Sequence, residues 1–198
     1  MNNKKTWATA IFMIWTIICF AQTDILIEYN QNRLQKQQTG MLILGGWAIG
    51  NIALGSAMMG KRTGEDRYFH QMNAAWNTIN LGIATLGYLS AMKTDPASFD
   101  LYHSMNEQHK LQKILLFNAG LDVGYILGGV YLIERSKTTE NKPNRLKGFG
   151  RSIILQGGFL LAFDIVNHII HAKGNTIVQP LLEGLSLSPG HLGFIWQF

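Results

Sequence analysis

Four apolar stretches, each close to the length of a bilayer crossing, constrain this chain more than any other feature. They lie at about 41–60 (MLILGGWAIGNIALGSAMMG), 71–92 (QMNAAWNTINLGIATLGYLSAM), 113–133 (KILLFNAGLDVGYILGGVYLI) and 150–171 (GRSIILQGGFLLAFDIVNHIIH). A membrane-spanning helix needs about 20 such residues. The intervening segments are short, so consecutive spans must return across the membrane in opposite directions. The expected fold is therefore an all-α membrane protein, an antiparallel four-helix transmembrane bundle over residues 41–173. Only 15% of residues are charged, well below the roughly one quarter usual in soluble domains. Glycine spacings such as Gly46 and Gly50, or Gly120, Gly124 and Gly128, suggest close helix–helix approach.

Residues 1–21, MNNKKTWATAIFMIWTIICFA, combine Lys4 and Lys5, an apolar stretch and a small residue at Ala21. That pattern is a secretory signal peptide, with cleavage expected after Ala21. Ile18 before Cys19 is not small, which argues against a lipoprotein. Cys19 is the sole cysteine, so the cleaved chain would hold no disulfide, thiolate ligand, cysteine nucleophile or covalently attached c-type haem. Residues 22–40 read as a polar outer-face segment with Asp24 as an N-cap.

The basic residues set the orientation. Lys61, Arg62 and Arg67 lie between the first two spans, and Arg135, Lys137, Lys142, Arg145, Lys147 and Arg151 between the last two. The opposite side has Arg33, Lys36, Lys93, Lys110, Lys113 and Lys173 over longer segments. The positive-inside rule puts the richer side in the cytoplasm. The signal peptide independently sends residue 22 outward. The expected location is a bacterial inner membrane, multi-pass, with the mature N- and C-termini periplasmic. The net charge of +5 and the pI near 9.4 thus report topology, and nucleic acid is not an expected partner. The lipid bilayer is, and beyond it another copy of the chain or a membrane protein partner.

Each span carries a polar residue near its middle: Asn51, Asn80, Asp122 and Asp164. A charged side chain at the bilayer centre costs about 2.5–3.5 kcal/mol on insertion scales, so these groups should face inward and meet. Asn73 and Asn77 share a face with Asn80, and Asn118 and Tyr125 share one with Asp122. The expected polar core is Asn51, Asn77, Asn80, Asn118, Asp122, Asp164 and His168. It serves either as interhelical hydrogen-bond glue or, since two carboxylates exceed what glue needs, as an ion, proton or polar-ligand pathway.

Five of the six histidines fall on the outer half. His103, His109, His168 and His171, with Glu107 nearby, are a candidate metal or haem set, although their spacings match no stringent ligand motif. The competing reading bonds His168 to Asp164 or Asn167 and leaves the others solvated. Arg145, Lys147 and Arg151 flank the start of the fourth span and could hold a lipid phosphate; a flexible entry carrying topology charges is the plainer reading. The tail 174–198 is apolar and broken by Pro180, Pro189 and glycines. It suits a strand pair around Ser188-Pro189-Gly190 or an interfacial anchor. Walker, nucleophile-elbow, HExxH and EF-hand motifs are absent, and no cofactor is expected.

The phrases YFHQMNAAWNTINLGIA (68–84), NAGLDVGYI (118–126) and GFGRSIILQGGFLLAFDIVNH (148–168) resemble a group of small, signal-bearing, four-span inner-membrane proteins of Bacteroidota. The resemblance covers about residues 22–175. It implies location and architecture and brings no activity. Three functions follow as expectations: a structural or transport-like membrane protein built on the central polar cluster, a metal- or haem-binding redox or enzyme component using the outer histidines, or a membrane scaffold for a protein partner.

Overall fold

The computed structural model describes residues 3–174, 185–188 and 191–194, with side chains from Asp24 to Gly174. Four long helices make up almost all of it: α1 (Asn3–Met59), α2 (Gly64–Lys93), α3 (Leu101–Thr138) and α4 (Pro143–Ala172), with a 3-10 turn at Pro96–Ser98 between α2 and α3. Strands β1 (Leu185–Ser188) and β2 (His191–Phe194) pair antiparallel, with Ser188 opposite His191. The tail thus contains the strand pair suggested by its turn residues.

Helix α1 is continuous for 57 residues, about 85 Å at 1.5 Å per residue. No glycine or proline occurs between Asn3 and Thr39, so nothing breaks the backbone ladder. Asp24 consequently lies inside the helix and is not an N-cap. The segments between helices are also shorter than expected: residues 60–63, 94–100 and 139–142. Most of the basic residues assigned to cytoplasmic loops instead sit on helix ends.

Three helical segments, Asp24–Met59, Leu101–Thr138 and Pro143–Ala172, are long and apolar enough to cross a membrane. Helix α2 has the length, but its buried face includes Asn73, Asn77 and Asn80 beside Ala84 and Ala91, and the three amides lower its hydropathy. Its opposite face exposes Ile79, Ile83 and Leu86.

Close approaches at glycine define the packing. A Cβ on Gly129 would stand 2.7 Å from the Gly150 carbonyl, and one on Gly157 would stand 3.1 Å from the Asp122 carbonyl. Helices α3 and α4 therefore run antiparallel in near-backbone contact. Gly55 meets His70 and Ala74, while Gly87 meets Met41, so α1 and α2 are antiparallel too. Gly148 lies against Glu65 and Phe69, and Gln156 against Asn73, which makes α2 and α4 parallel neighbours. The glycines predicted from spacing are not the ones used: Gly46, Gly50, Gly120, Gly124 and Gly128 all face open space. Sequence spacing identifies a small-residue face but not which face meets a partner.

The buried positions recur by sevens. On α3 they include Gln108, Leu115, Asp122, Gly129 and Ser136, and on α2 Asn77, Ala84 and Ala91. A seven-residue repeat keeps one seam in register along helices that coil left-handedly around one another. This seam is unusual in being polar. The largest fully buried side chains are His171, Gln108, Gln156, Asn30, Asn73 and Asn77, whereas Leu86, Leu116, Phe117, Leu127 and Ile79 are among the most exposed. Apolar burial is confined to small patches such as Leu44, Ala84 and Phe163, with Phe159 and Leu160 against them.

Candidate functional site

The polar seam resolves into three levels. The first is a closed ring of hydrogen bonds across α1, α2 and α4. Trp47 Nε1 donates to Gln156 Oε1 at 2.8 Å, and Gln156 Nε2 donates to Asn73 Oδ1. Asn73 Nδ2 donates to Asn51 Oδ1 at 2.7 Å, and Asn51 Nδ2 closes the ring on the Trp47 carbonyl at 2.8 Å. Asn77 donates to the Asn73 carbonyl and receives Asn80. The Trp47 indole also stacks on Phe159, 3.9 Å between centroids and 4° between planes. Amides suit such a ring because each one donates and accepts at once.

The second level is the pair Asp122 and Asp164, which face each other from α3 and α4, are both buried, and share a side-chain hydrogen bond. An ionised carboxylate only accepts, so a bond between two carboxyls carries a proton. One oxygen of the pair, Asp122 Oδ2, is buried and has no protein partner. Asn118 is half-buried one turn before Asp122.

The third level lies toward the α2–α3 end. Asn30 donates to Ser104 Oγ at 2.8 Å, Arg33 to Asn30 Oδ1 at 3.3 Å, and Gln108 Nε2 to the His171 carbonyl. Arg33 Nε, Gln108 Oε1 and His171 Nδ1 are buried without protein partners. His168 contacts the Gln112 carbonyl at 3.3 Å, not Asp164 or Asn167.

The sequence-predicted residues distribute unevenly over these levels. Asn51 and Asn77 meet through Asn73, and Asp122 meets Asp164. Asn80 joins Asn77 at 3.4 Å rather than reaching another helix. The hub of the amide ring, Gln156, is 0% exposed and was not among the expected residues. The buried positions of α4 are Ser152, Gln156, Asp164 and His171, the small residues Gly148, Gly150 and Gly157, and Phe163. A polar residue flanked by such glycines was the available signal.

The proposed metal set does not assemble. His103 Nδ1 sits 2.8 Å from Asp100 Oδ1 with most of its side chain exposed, and His109 is exposed elsewhere on α3. His171 is buried, and His168 turns to a backbone carbonyl. Among the described residues, no three of His, Cys, Asp and Glu gather as a ligand group. Histidines 103 and 109 are six apart, which places them on different sides of a helix with 3.6 residues per turn.

The basic cluster at the other end is an ion-paired clamp. Lys147 holds Glu65 at 2.7 Å, and Arg151 holds Glu65 at 2.8 Å and Asp66 at 3.1 Å. Arg145 lies over the Phe149 ring at 5.1 Å. Two of the three cations expected at a lipid phosphate thus hold carboxylates in the first turn of α2. The clamp brings the α1–α2 and α3–α4 turns to one end of the molecule.

The chain belongs to a family of unknown function (DUF6992), which matches residues 43–165. That span runs from the apolar part of α1 to Asp164, so it takes in the amide ring and the carboxyl pair. No curated protein and no solved structure matches the chain.

Proposed function

We propose that this family member is a four-span inner-membrane protein with a transport-like role, in which Asp122 and Asp164 handle a proton or small cation. The inversion of burial carries the membrane reading: fully buried side chains are amides, serines and a histidine, while Leu86, Leu116, Phe117 and Leu127 point outward. Water would reverse that arrangement, since burying unpaired polar groups costs free energy and exposing large apolar faces gains none. Lipid favours it. Helix α2 crosses with the others because its amides are turned inward. The signal segment is removed after Ala21, the basic turns at 60–63 and 139–142 are cytoplasmic, and both mature termini are periplasmic.

The carboxyl pair supports the transport-like role. It brings two carboxyls face to face inside the seam and leaves one of their oxygens, Asp122 Oδ2, without a protein partner. A structural role is the second reading, and the amide ring favours it, because its four members already satisfy one another. Purified protein in liposomes tests the choice. A pH or cation gradient should collapse faster than in empty liposomes, and Asp164→Asn should abolish the difference. Wild-type liposomes indistinguishable from empty ones would leave only the structural role. Topology is tested separately: cysteines introduced at Arg62 and Glu140 should resist an impermeant thiol reagent in intact spheroplasts, while one at Ser98 should react.

A further inference from the structure

The α1–α4 contact opens into a groove of about 500 Å³ on the outside of the molecule. Its floor is the approach of Gly40 to Asn167 and Phe163. Its walls are Ile43, Phe159, Phe163 and Val166, and its mouth carries Lys36 and Asn167. The groove is thus apolar at one end and cationic at the other. Lys36 Nζ donates to the Ile170 carbonyl at 3.4 Å, and among the described residues no carboxylate pairs with it. Its neighbour Arg33 is engaged by Asn30 and lies over the Phe99 ring at 5.1 Å.

Depth matches chemistry. Lys36 precedes Asn51 by fifteen residues, about 22 Å along α1. That is the headgroup level when Asn51 marks the bilayer centre, because half of a bilayer with headgroups is about 20–22 Å. From Phe159 to Ile170 the α4 wall runs about 16 Å, close to the half-thickness of the hydrocarbon core.

We propose that this groove is a binding site for one anionic phospholipid of the periplasmic leaflet, its acyl chain along Ile43, Phe159 and Val166 and its phosphate-bearing headgroup at Lys36. The site stands at the opposite end from the Glu65 clamp and uses none of its residues. It rests on the membrane-embedded reading above, and on nothing about transport. A lysine at headgroup level selects for anionic lipid by about fivefold.

The test titrates phosphatidylglycerol, phosphatidylcholine and oleate separately into the full chain purified in neutral detergent. Retained lipid is then counted by native mass spectrometry. Phosphatidylglycerol should be retained about fivefold better than phosphatidylcholine. Lys36→Gln should bring it down to the phosphatidylcholine level, and Lys36→Arg should keep the preference. Ala162→Trp, which fills the groove, should reduce both phospholipids. Equal retention of the two by wild type, a preference surviving in Lys36→Gln, no effect of Ala162→Trp, or tighter retention of oleate than of phosphatidylglycerol would each overturn the assignment. A chain that stays dispersed without detergent would overturn the membrane reading itself, so the two failures are distinguishable.

Discussion

Replacing Gln156 with leucine should show whether the amide ring holds the helices together. Leucine is close to glutamine in volume, so the cavity contribution is small and the loss is polar. Two interhelical bonds disappear, one to Trp47 and one to Asn73. Interhelical hydrogen bonds in membranes average about 0.6 kcal/mol and reach about 1.7, which puts the pair at roughly 1–3 kcal/mol. The orphaned groups push toward the upper figure, because a buried donor or acceptor left alone costs about 1–3 kcal/mol. Asn73 keeps its bond to Asn51, whereas Trp47 Nε1 has nowhere else to turn. Unfolding in mixed micelles, followed by Trp fluorescence or steric trapping, gives the free energy. Trp47→Phe removes the indole donor while keeping a ring over Phe159, so the double variant completes a cycle. The expected coupling is about 0.6 kcal/mol or more. Additive losses, within about 0.3 kcal/mol, would show that the ring is geometry without energy.

Two further predictions follow from packing and capping. Gly129→Ala should destabilise by about 1–3 kcal/mol, since its Cβ would press on the Gly150 carbonyl, whereas Gly124→Ala should be neutral or slightly stabilising because its Cβ meets open space; paired unfolding curves decide. Asp100 caps α3 by accepting the His103 backbone N–H at 2.7 Å. That bond, and then the His103 ring, hold its carboxyl below the usual carboxylate range. The contribution is therefore full above about pH 4 and fades as pH falls through the lowered folded value. Protection at the start of α3, measured by comparing the exchange rate with that of a free peptide at the same pH, should fall in acid, and Asp100→Ala should keep it low at every pH.

The segmentation into long helices was legible because apolar length and turn residues are local properties. Four elements and their order follow from them. The pairing of Asp122 with Asp164 was legible for a physical reason: two costly groups of similar depth have few other partners. Gln156 was not, because an uncharged amide raises no alarm beside Ser152 and two glycines. The glycines show the same limit. Gly120, Gly124 and Gly128 make the most regular stripe on α3, yet Gly129 makes the contact, because the polar seven-residue seam through Asp122 sets which face turns inward. The histidines failed as a set because membership in one half of the molecule does not place side chains on one surface.

The seam therefore contains two kinds of polar group that stability and flux can separate. The hydrogen bonds of the amide ring run among Trp47, Asn51, Asn73 and Gln156 and do not include the carboxyl pair, and Leu44, Ala84 and Phe163 pack as an apolar patch on the α1–α2 side of α4. Asp122→Asn retains a donor toward Asp164 and removes the proton shared between two carboxyls. It should leave stability within about 1 kcal/mol and eliminate gradient collapse in liposomes. Asp122→Leu removes both, leaves Asp164 buried opposite hydrocarbon, and should cost about 2–4 kcal/mol, in line with a charge at mid-membrane. A glue role predicts a different split: only the leucine variant matters, and it matters for unfolding alone. If Asp122→Asn and wild type carry equal flux above empty liposomes, the proton shared by the pair is not the one that moves, and conduction must follow another route.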